Sequence, residues 1–567
     1  MPRLVRSATF LAFCLHGVSI LTARYRLSYD AYNHMFFADH YRLAWWALWE
    51  PRWYTGFEVV SYPPLVHQLN ALVGHVIGVD AAFGLILWIV LTAYPLAVYL
   101  FCRIFAGPAV SGYAALGAAV LPSLYLTAQV FGQLPTLAAT LLALFGAAAL
   151  ADYLRNGTAL KGALAVSLFA TAMAAHHATL LFLVALVGMI ALNILPEAGG
   201  RRRLLYIRLA IFSVLASVAC WLVVFPFWQW GAQQTLQTPI DHASRHSFFT
   251  DPSASVLFFF PMYGLLIPLI PFALWQGTRK PFLGPGLAFF LLFLLGLGGT
   301  TPLPRLLFRQ SWVWLTYDRF ALWASLVLLP FLGVAFVVLR RKLPDWPKHR
   351  SGSYLARRQA EPVFVILMAL AAMIIAFIPT WLPTQPAQLD MQPIVDFLAQ
   401  DDRARWRYVT FGFGDQFAYL SRLTGATTID GSYHTARTLP ELRESGIGQI
   451  DSAYWIHGGM AALGPILQKS GEHGVRWAFV DLRAYDALLR RYGWRMLVTL
   501  ANGVEVWENP SATPPPLVTP PRETPVTVLA WGTLPLLALL VSGALALRRF
   551  RPTLGCRVRA CLRSLTR

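Results

Sequence analysis

Charge is scarce in this sequence: only 13% of its 567 residues are Asp, Glu, Lys or Arg. Soluble globular proteins carry about 25% charged residues, so the deficit excludes an ordinary soluble protein. Long apolar runs fill the chain instead, and 57% of its residues are hydrophobic. The net charge of +19 does not indicate a nucleic-acid partner, because the basic residues form short clusters between the apolar runs. These features predict a mostly α-helical, polytopic membrane protein.

Cysteine is also scarce, and the five cysteines are Cys14, Cys102, Cys220, Cys556 and Cys561. None of them lies in the long polar stretch 384–525, which excludes a disulfide framework there. A cleavage site is missing as well. The first apolar run, 8–23, follows two arginines like a signal peptide, but Arg24-Tyr25-Arg26 comes next without small residues. We therefore predict an uncleaved first spanning helix.

Thirteen apolar runs approach the length of about 17–25 residues that crosses a bilayer. They cover 8–23, 63–78, 82–101, 109–127, 134–152, 161–175, 178–195, 204–225, 254–275, 283–299, 317–339, 362–381 and 526–547. Cytoplasmic loops carry an excess of Lys and Arg, yet thirteen spans would place the basic clusters 201–203 and 340–342 outside. Omitting run 63–78, which begins with Pro63-Pro64 and contains polar residues, brings every basic cluster inside. We expect twelve spanning helices and two cytoplasmic termini.

This topology divides the chain into four parts. Residues 1–381 form a transmembrane core, whose first outer loop, 24–81, carries run 63–78 as a juxtamembrane helix. Residues 382–525 form a small extracytoplasmic α/β domain. Residues 526–548 form the last transmembrane helix, and 549–567 form a basic cytoplasmic tail.

The extracytoplasmic domain has the pattern of short strands separated by helices. We predict strands at 407–411, 476–480, 495–500 and 504–508, with helices at 438–446, 461–470 and 484–492. Asn502-Gly503 predicts a hairpin turn between the last two strands. Four titratable residues of this domain lie in loops: Asp415, Asp430, His434 and Asp451. They are typical of turns and solvated loops, and the alternative is recognition of an acceptor.

The first outer loop contains the residues best suited to chemistry. If 30–41 is helical, Asp30 and His34 share one face, whereas Asp39, next to His40, is about half a turn out of phase. A carboxylate beside a histidine can deprotonate an acceptor hydroxyl or hold a divalent ion. The alternative is a solvated acid and an interfacial histidine within an aromatic belt. The loop also contains four tryptophans, which this pattern favours as belt anchors over sugar platforms: Trp45, Trp46, Trp49 and Trp53.

Further polar residues occur where spanning helices meet the same outer face. They are Gln133, His176, His177, Asp241, His242, Arg245, His246, Arg305, Arg309, Asp318 and Arg319. An interfacial ion pair explains Asp318-Arg319 in plain structural terms, and a polar helix cap explains His176-His177. Polar groups at membrane depth are costly, however, and tend to face a cavity or a partner. Because all of them lie on one side of the membrane, we favour a shared outer cavity.

Several short motifs occur in a characteristic order. They are Asp30-x-x-x-His34, Tyr62-Pro63-Pro64-Leu65, Phe131-Gly132-Gln133-Leu134-Pro135, Ala175-His176-His177-Ala178-Thr179, Tyr317-Asp318-Arg319-Phe320, Gly474-Val475-Arg476-Trp477-Ala478 and Val506-Trp507-Glu508-Asn509. With the topology, they make the chain resemble the membrane-embedded GT-C glycosyltransferase superfamily. Within it, the chain is most similar to the bacterial and archaeal membrane proteins labelled "6-pyruvoyl-tetrahydropterin synthase-related".

The resemblance implies a site and its partners. The donor would be a polyprenyl-phosphate-linked sugar, the acceptor an envelope glycan, lipid or protein, and the location a bacterial or archaeal cell (inner) membrane. Asp30 would act as the base or hold a metal, with His34 orienting the acceptor hydroxyl. Arg319 and Arg305 would bind the donor phosphate. The remaining substrate contacts would come from Asp39, His40, Gln133, His176 and His177. The sequence lacks an Asp-x-Asp motif at Asp30, so a requirement for Mg²⁺ or Mn²⁺ stays open.

Two other functions stay in competition with glycosyl transfer. One is a transporter or flippase for a lipid-linked glycan, although the sequence lacks the internal repeat typical of transporters. The other is a non-catalytic membrane protein for polysaccharide assembly that binds its ligand through residues 382–525. Each of these functions involves membrane lipid and a glycan, and none involves nucleic acid.

Overall fold

The computed structural model describes residues 2–197, 199–234, 237–342 and 352–565, and these residues are mostly helical. The α-helices of these ranges, numbered in chain order, are α1 (Arg3–Leu21), α2 (Ala31–Leu43), α3 (Leu65–Ile77), α4 (Val79–Cys102), α5 (Pro108–Ala119), α6 (Pro122–Gln129), α7 (Leu134–Asn156), α8 (Ala159–Ala175), α9 (Leu180–Ile194), α10 (Arg202–Val223), α11 (Phe225–Gln233), α12 (Pro252–Phe258), α13 (Phe260–Tyr263), α14 (Leu269–Gly277), α15 (Leu283–Gly296), α16 (Leu303–Phe308), α17 (Asp318–Lys342), α18 (Gly352–Ala376), α19 (Ile378–Trp381), α20 (Gln392–Ala399), α21 (Phe417–Leu423), α22 (Pro440–Glu444), α23 (Gly459–Lys469), α24 (Asp486–Arg491) and α25 (Pro525–Leu565).

Eight helices of the described ranges are long and apolar enough to cross a membrane. They are α1, α4, the joined α5 and α6, α7, α9, α10, α17 and α25. The segments Pro252–Leu266 and Leu269–Gly277 would form a ninth span that bends by 73°. Shorter apolar helices are α3, α8, α15 and the segment Pro362–Ala376 of α18. Every predicted apolar run therefore contains helix, and the protein is a polytopic membrane protein. The count of twelve spans stays a prediction.

Small residues allow the apolar helices to pack closely. Gly277 of α14 and Gly286 of α15 face each other so closely that a Cβ on either would overlap the backbone of the other. Between membrane helices the hydrophobic effect gives little attraction, so close van der Waals contact of this kind contributes much of the packing energy.

The first loop folds onto the end of the bundle. Helix α2 begins after Asp30 and runs without a break to Leu43, so the condition placed on residues 30–41 in the sequence analysis is met. A two-residue strand, β1 (Trp49–Glu50), pairs antiparallel with β2 (Phe57–Glu58). Helix α3 then packs along α2 and against α4. Both faces of α2 are buried, because the helical bundle covers one face and residues 382–525 cover the other.

Residues 382–525 contain a four-stranded sheet and are named the sheet domain below. Its strands are β3 (Arg407–Phe411), β4 (Val475–Val480), β5 (Arg495–Thr499) and β6 (Glu505–Glu508), arranged in the order β3-β4-β6-β5. Strands β3 and β4 are parallel, and the other pairs are antiparallel. All four predicted strands are confirmed. Gly503, at φ +87°, provides the left-handed residue that the hairpin between β5 and β6 requires.

The sheet domain is docked on the first loop by a set of backbone and aromatic contacts. The amides of Tyr54 and Thr55 donate to the carbonyls of Asp430 and Thr428, at 3.2 and 3.3 Å. The indole of Trp53 is fully buried, stacks on Phe36 at a centroid distance of 3.7 Å and donates to the Ser421 hydroxyl at 3.0 Å. The prediction that Trp53 is a membrane-belt anchor is therefore wrong, because its partners lie in α2 and α21.

Candidate functional site

A cavity of about 720 Å³ lies between the first loop, the bundle and the sheet domain. Small-molecule sites typically enclose about 300–1,000 Å³, so this volume suits a substrate. Its polar lining comes from distant parts of the chain and includes Asp30, Asn33, Gln133, Asp241, His242, Asp318, Gln385, Asp415, Ser432, His434, Gln449 and Ser452. Two of the predicted site residues, Asp30 and Gln133, line this cavity, together with Asp241, His242 and Asp318 from the wider set of outer-face polar residues. No arginine lines it among the described residues.

Asp30 is held in this cavity by the turn between α6 and α7. The amides of Tyr29 and Asp30 both donate, at 3.0 Å, to the carbonyls of Val130 and Phe131. Gly132, at φ +71°, permits this approach, because a Cβ there would overlap the Ser28 side chain and the Ala31 amide. The Phe131-Gly132-Gln133 motif thus fixes where α2 begins and where the Asp30 carboxyl points.

The surroundings of Asp30 favour its neutral form. Burial raises the pKa of the Asp30 carboxyl to about 7, helped by the charge of Asp415 and less strongly by that of Asp318. Arg319 and a hydrogen bond from Asn33 act in the opposite direction on that pKa. A carboxyl with a pKa near neutrality is suited to accept a proton, which is the role of a general base.

Arg319 is the cation whose charge acts on the pKa of Asp30, and it has no charged partner among the described residues. Neither an ion pair nor a hydrogen bond joins its guanidinium to any described residue, and its Nε is buried without a partner. Asp318 does not pair with it either: one carboxylate oxygen accepts from the Gln133 amide at 3.1 Å, and the other is unpartnered among the described residues. The interpretation of Asp318 and Arg319 as an interfacial ion pair is therefore wrong. An uncompensated guanidinium at this depth is suited to bind an anion.

The predicted pair of Asp30 and His34 is replaced by another contact. The His34 Nδ1 lies 3.1 Å from Nε2 of His67 on α3, so the histidine turns toward α3 and away from the cavity lining. The pKa of His34 falls to about 3, because burial and then the charge of Arg319 disfavour the imidazolium. His34 is therefore neutral. His67 was missed as a partner of His34 because, in the sequence, it counted only as one of the polar residues that make run 63–78 a juxtamembrane helix.

Tyr62 joins the remaining predicted histidines to His34. Its ring lies 5.7 Å from that of His34, 6.0 Å from His176 and 6.1 Å from His177. The Nδ1 atom of His177 is buried without a partner in the described part of the chain. The histidines thus form one aromatic group within electrostatic reach of Arg319, and none of the three lines the cavity.

Asp39 and His40 do not line the cavity, contrary to the prediction that they bind substrate. Asp39 accepts from Arg52 at 2.7 Å and from Arg42 at 2.8 Å, and His40 pairs with Glu50 at 2.9 Å. Arg52 also bonds to Glu50 at 2.7 Å. This buried network holds the first loop together. Asp39 belongs to it because its half-turn offset along α2 directs the carboxylate away from Asp30.

Arg305 lines a neighbouring cavity of about 550 Å³. Its guanidinium stacks over the Trp312 ring at 4.4 Å. Asp241 and Ile240 line both cavities, so the two adjoin, but Arg305 is separated from Asp30 by that shared wall. The structure therefore does not bring Arg305 and Arg319 to one site.

The strongest polar network of the cavity belongs to the sheet domain. Asp415 accepts hydrogen bonds from Ser432 at 3.0 Å, from Gln449 at 2.9 Å and from Gln385 at 2.9 Å. The Ser432 hydroxyl also lies 2.6 Å from Oδ1, the side-chain amide oxygen, of Asn33 on α2. Ser432, Gln449 and Gln385 carried no recognisable signal in the sequence, because polar residues in loops are common.

Asp30 is the residue that the sequence suggests as a ligand for a divalent metal ion. Mg²⁺ and Mn²⁺ prefer oxygen ligands and are often held by one or two carboxylates with water. No group of three His, Cys, Asp or Glu side chains with metal-binding geometry occurs among the described residues. Asp30 and Asp415 influence each other electrostatically, but Asp415 is already bonded to three side chains. These residues do not form a dedicated protein cage for a divalent ion.

The fold and the site together define the class of protein. This is a multi-pass, mostly helical membrane protein with the GT-C fold, and its polar cavity lies between the bundle and a small sheet domain. No family model matches the sequence, and no curated protein sequence matches it.

Glycosyltransferases are among the solved structures with a similar fold. ArnT from Cupriavidus metallidurans, bound to undecaprenyl phosphate, superposes with a TM-score of 0.52 at 11% identity, over 90% of this chain and 98% of ArnT. Arabinofuranosyltransferase AftD from Mycobacteria superposes with a TM-score of 0.51 at 12% identity, over 88% of this chain and 40% of AftD. At this identity the likeness establishes the fold. The narrower resemblance to the "6-pyruvoyl-tetrahydropterin synthase-related" proteins stays a prediction.

Proposed function

We propose that the protein is a glycosyltransferase that moves a sugar from a polyprenyl-phosphate donor to an acceptor hydroxyl on the extracytoplasmic face of a cell membrane. The observation that carries the proposal is the combination of Asp30, whose pKa is raised to about 7, with Arg319, a guanidinium free of described partners. Glycosyl transfer needs a base for the hydroxyl proton and a cation for the phosphate, and the chain provides one of each.

In the proposed step the sugar moves from the donor phosphate to the acceptor oxygen. The acceptor hydroxyl gives its proton to the Asp30 carboxylate while its oxygen forms a bond to the anomeric carbon. The bond between that carbon and the phosphate oxygen breaks, and its electron pair leaves with the polyprenyl phosphate. Arg319 faces the charge that grows on the leaving phosphate, where a charge-assisted hydrogen bond is most favourable.

The location of the cavity supports a lipid-bound donor. Arg319 lies in the first turn of α17, at the end of an apolar helix long enough to span a membrane. A phosphate bound there would leave its polyprenyl chain beside the helices, in the lipid. We place the sheet domain and the cavity outside the cell, because the basic clusters of the remaining loops then lie in the cytoplasm. ArnT was solved with undecaprenyl phosphate, which supports a donor of this kind.

The competing functions gain less support. A transporter is expected to bind its cargo near the bilayer midplane. Here the cavity is lined jointly by the first loop and the sheet domain, at one end of the bundle. A non-catalytic assembly protein gives no reason for a carboxyl with a pKa near 7 beside an unpaired guanidinium.

The test is an Asp30→Asn variant of the full chain in proteoliposomes. Radiolabelled undecaprenyl-phosphate-linked glucose, mannose, galactose and arabinose serve as donors, and envelope extract supplies acceptors. We expect the wild type to consume one donor and the variant to lose at least about 100-fold in rate, in the range of general-base catalysis. Asp241→Asn, at the rim of the same cavity, is the matched control for folding and charge. Full transfer by Asp30→Asn would refute the assigned role.

A further inference from the structure

One wall of the cavity belongs to the sheet domain, and its side chains neither accept the proton nor bind the phosphate in the step described above. Asp415, Gln449, Ser452, His434 and Trp455 line this wall. A chain of side chains joins it to the base: Asn33 contacts Asp30, and Ser432 bridges Asn33 and Asp415. A ligand on this wall is therefore held at a fixed distance from the carboxyl that receives the proton.

Two histidines of the cavity have hydrogen-bond directions that follow from their fixed partners: His434 on this wall, and His242 in the segment between α11 and α12. Nδ1 of His434 lies 3.3 Å from the Gly448 carbonyl, which can only accept, so Nδ1 carries the hydrogen and Nε2 is an acceptor. His242 has the opposite arrangement. Its Nδ1 accepts from the Ser244 amide at 3.2 Å, so in the neutral ring Nε2 carries the hydrogen.

Both imidazoles stay neutral at physiological pH. Burial lowers the pKa of His434 to about 3 and that of His242 to about 4. Neither Nε2 has a hydrogen-bond partner in the described part of the chain, and both rings line the cavity. The cavity thus presents one neutral acceptor and one neutral donor, together with the acceptor oxygens of Asp415.

An aromatic surface completes the wall. Trp455 leaves 51% of its surface exposed although it lines the cavity, so its ring offers an uncovered apolar face beside the polar groups. A sugar ring presents hydroxyls that both donate and accept, and it also presents an apolar C–H face. A phosphate headgroup suits this wall poorly because Asp415 would repel it.

We propose that the Asp415, Gln449, His434 and Trp455 wall is the acceptor subsite and that its ligand is a saccharide. This inference rests on the proposed function, because it identifies the acceptor of that transfer. The sheet domain selects the acceptor by its hydroxyl pattern, and the first loop and Arg319 handle the donor.

A binding experiment tests the ligand class without requiring transfer. The full chain, labelled in detergent, is applied to arrays of hexose and pentose oligosaccharides, of peptides and of phospholipid headgroups. We expect saccharide binding that Trp455→Ala or His434→Phe weakens about tenfold, the loss typical of one hydrogen bond or contact of this size. Tyr454→Ala is the matched control, because Tyr454 is the neighbouring half-exposed aromatic and does not line the cavity.

A kinetic experiment adds a second readout. In the transfer assay, Trp455→Ala should raise the acceptor KM about tenfold and leave the donor KM unchanged. Saccharide binding that depends on Trp455, without transfer from any donor, would contradict the proposed function and retain the subsite. Failure to bind any saccharide, binding of peptides alone, or equal binding by Trp455→Ala and Tyr454→Ala would overturn the inference.

Discussion

The raised pKa of Asp30 makes a direct prediction about pH. With a pKa of about 7, the carboxyl is about 10% ionised at pH 6 and about 1% ionised at pH 5. Because only the ionised form accepts a proton, kcat/KM should fall about tenfold per pH unit below neutrality and level off above it. An ordinary aspartate, with a pKa of 3.8, would give a flat profile between pH 5 and 8.

The Asp415→Asn variant identifies the group that titrates. The negative charge of Asp415 raises the pKa of Asp30, so its removal should move the acid limb to lower pH. Asp241→Asn should leave the limb in place, since Asp241 is not among the groups that act on this pKa. The buried histidines His34, His242 and His434 titrate at about 3 to 4 and cannot produce a limb near 7.

The assay is the initial rate of sugar transfer between pH 5 and 8 in proteoliposomes, at low concentrations of donor and acceptor. The pH at the midpoint of the acid limb is compared among the variants. The maximal value of kcat/KM is not compared, because Asp415→Asn also alters the acceptor wall. A flat profile for the wild type, or an unshifted limb in Asp415→Asn, would refute the assignment of Asp30 as the base.

Three further predictions follow from the packing and the charges. Arg319→Gln should raise the donor KM about 10- to 150-fold through loss of a charged hydrogen bond, whereas Arg309→Gln, in the segment before α17, should not. Equal effects of the two variants on initial rates would contradict the role of Arg319. Arg52→Ala should lower the free energy of unfolding by about 3–5 kcal/mol, because the buried carboxylates Asp39 and Glu50 lose the guanidinium that they share and keep only Arg42 and His40. Arg42→Ala should lower it by less than about 1 kcal/mol, as measured by denaturant unfolding in detergent. Trp53→Ala should cost about 3–5 kcal/mol and make the sheet domain sensitive to protease, unlike Trp46→Ala, whose side chain is 50% exposed.

Much of the fold could be predicted from local pattern. A helix that crosses a bilayer must be apolar along most of its length, so hydropathy locates the helices directly. The strands β3 to β6 were equally visible, because short runs rich in branched and aromatic residues were bounded by turn residues. The association of Asp30, Gln133 and Asp318 was predicted only as a shared side of the membrane, and the structure brings all three to one cavity.

The errors concern contacts between residues that are distant in sequence. Trp53 has the composition of a belt residue, and nothing near it reveals that Ser421 will accept its indole hydrogen. His34 was paired with Asp30 by helical spacing, but the packing of α3 on α2 offers His67 at 3.1 Å. Asp415 comes to line the cavity only when the sheet domain docks on α2. Helical periodicity reports which residues share a face, and it carries no information about what covers that face.

The docking of the sheet domain on the first loop has a consequence for how such proteins can be recombined. Trp53 and Tyr54 are fully buried against the sheet domain, and a further hydrogen bond of 2.7 Å joins the Tyr433 hydroxyl to the Ser61 carbonyl. A chimera that exchanges residues 382–525 alone would present these loop residues to a foreign surface. The exchangeable module is the first loop together with the sheet domain, so the two segments must be inherited or engineered as a pair although about 300 residues separate them in the chain.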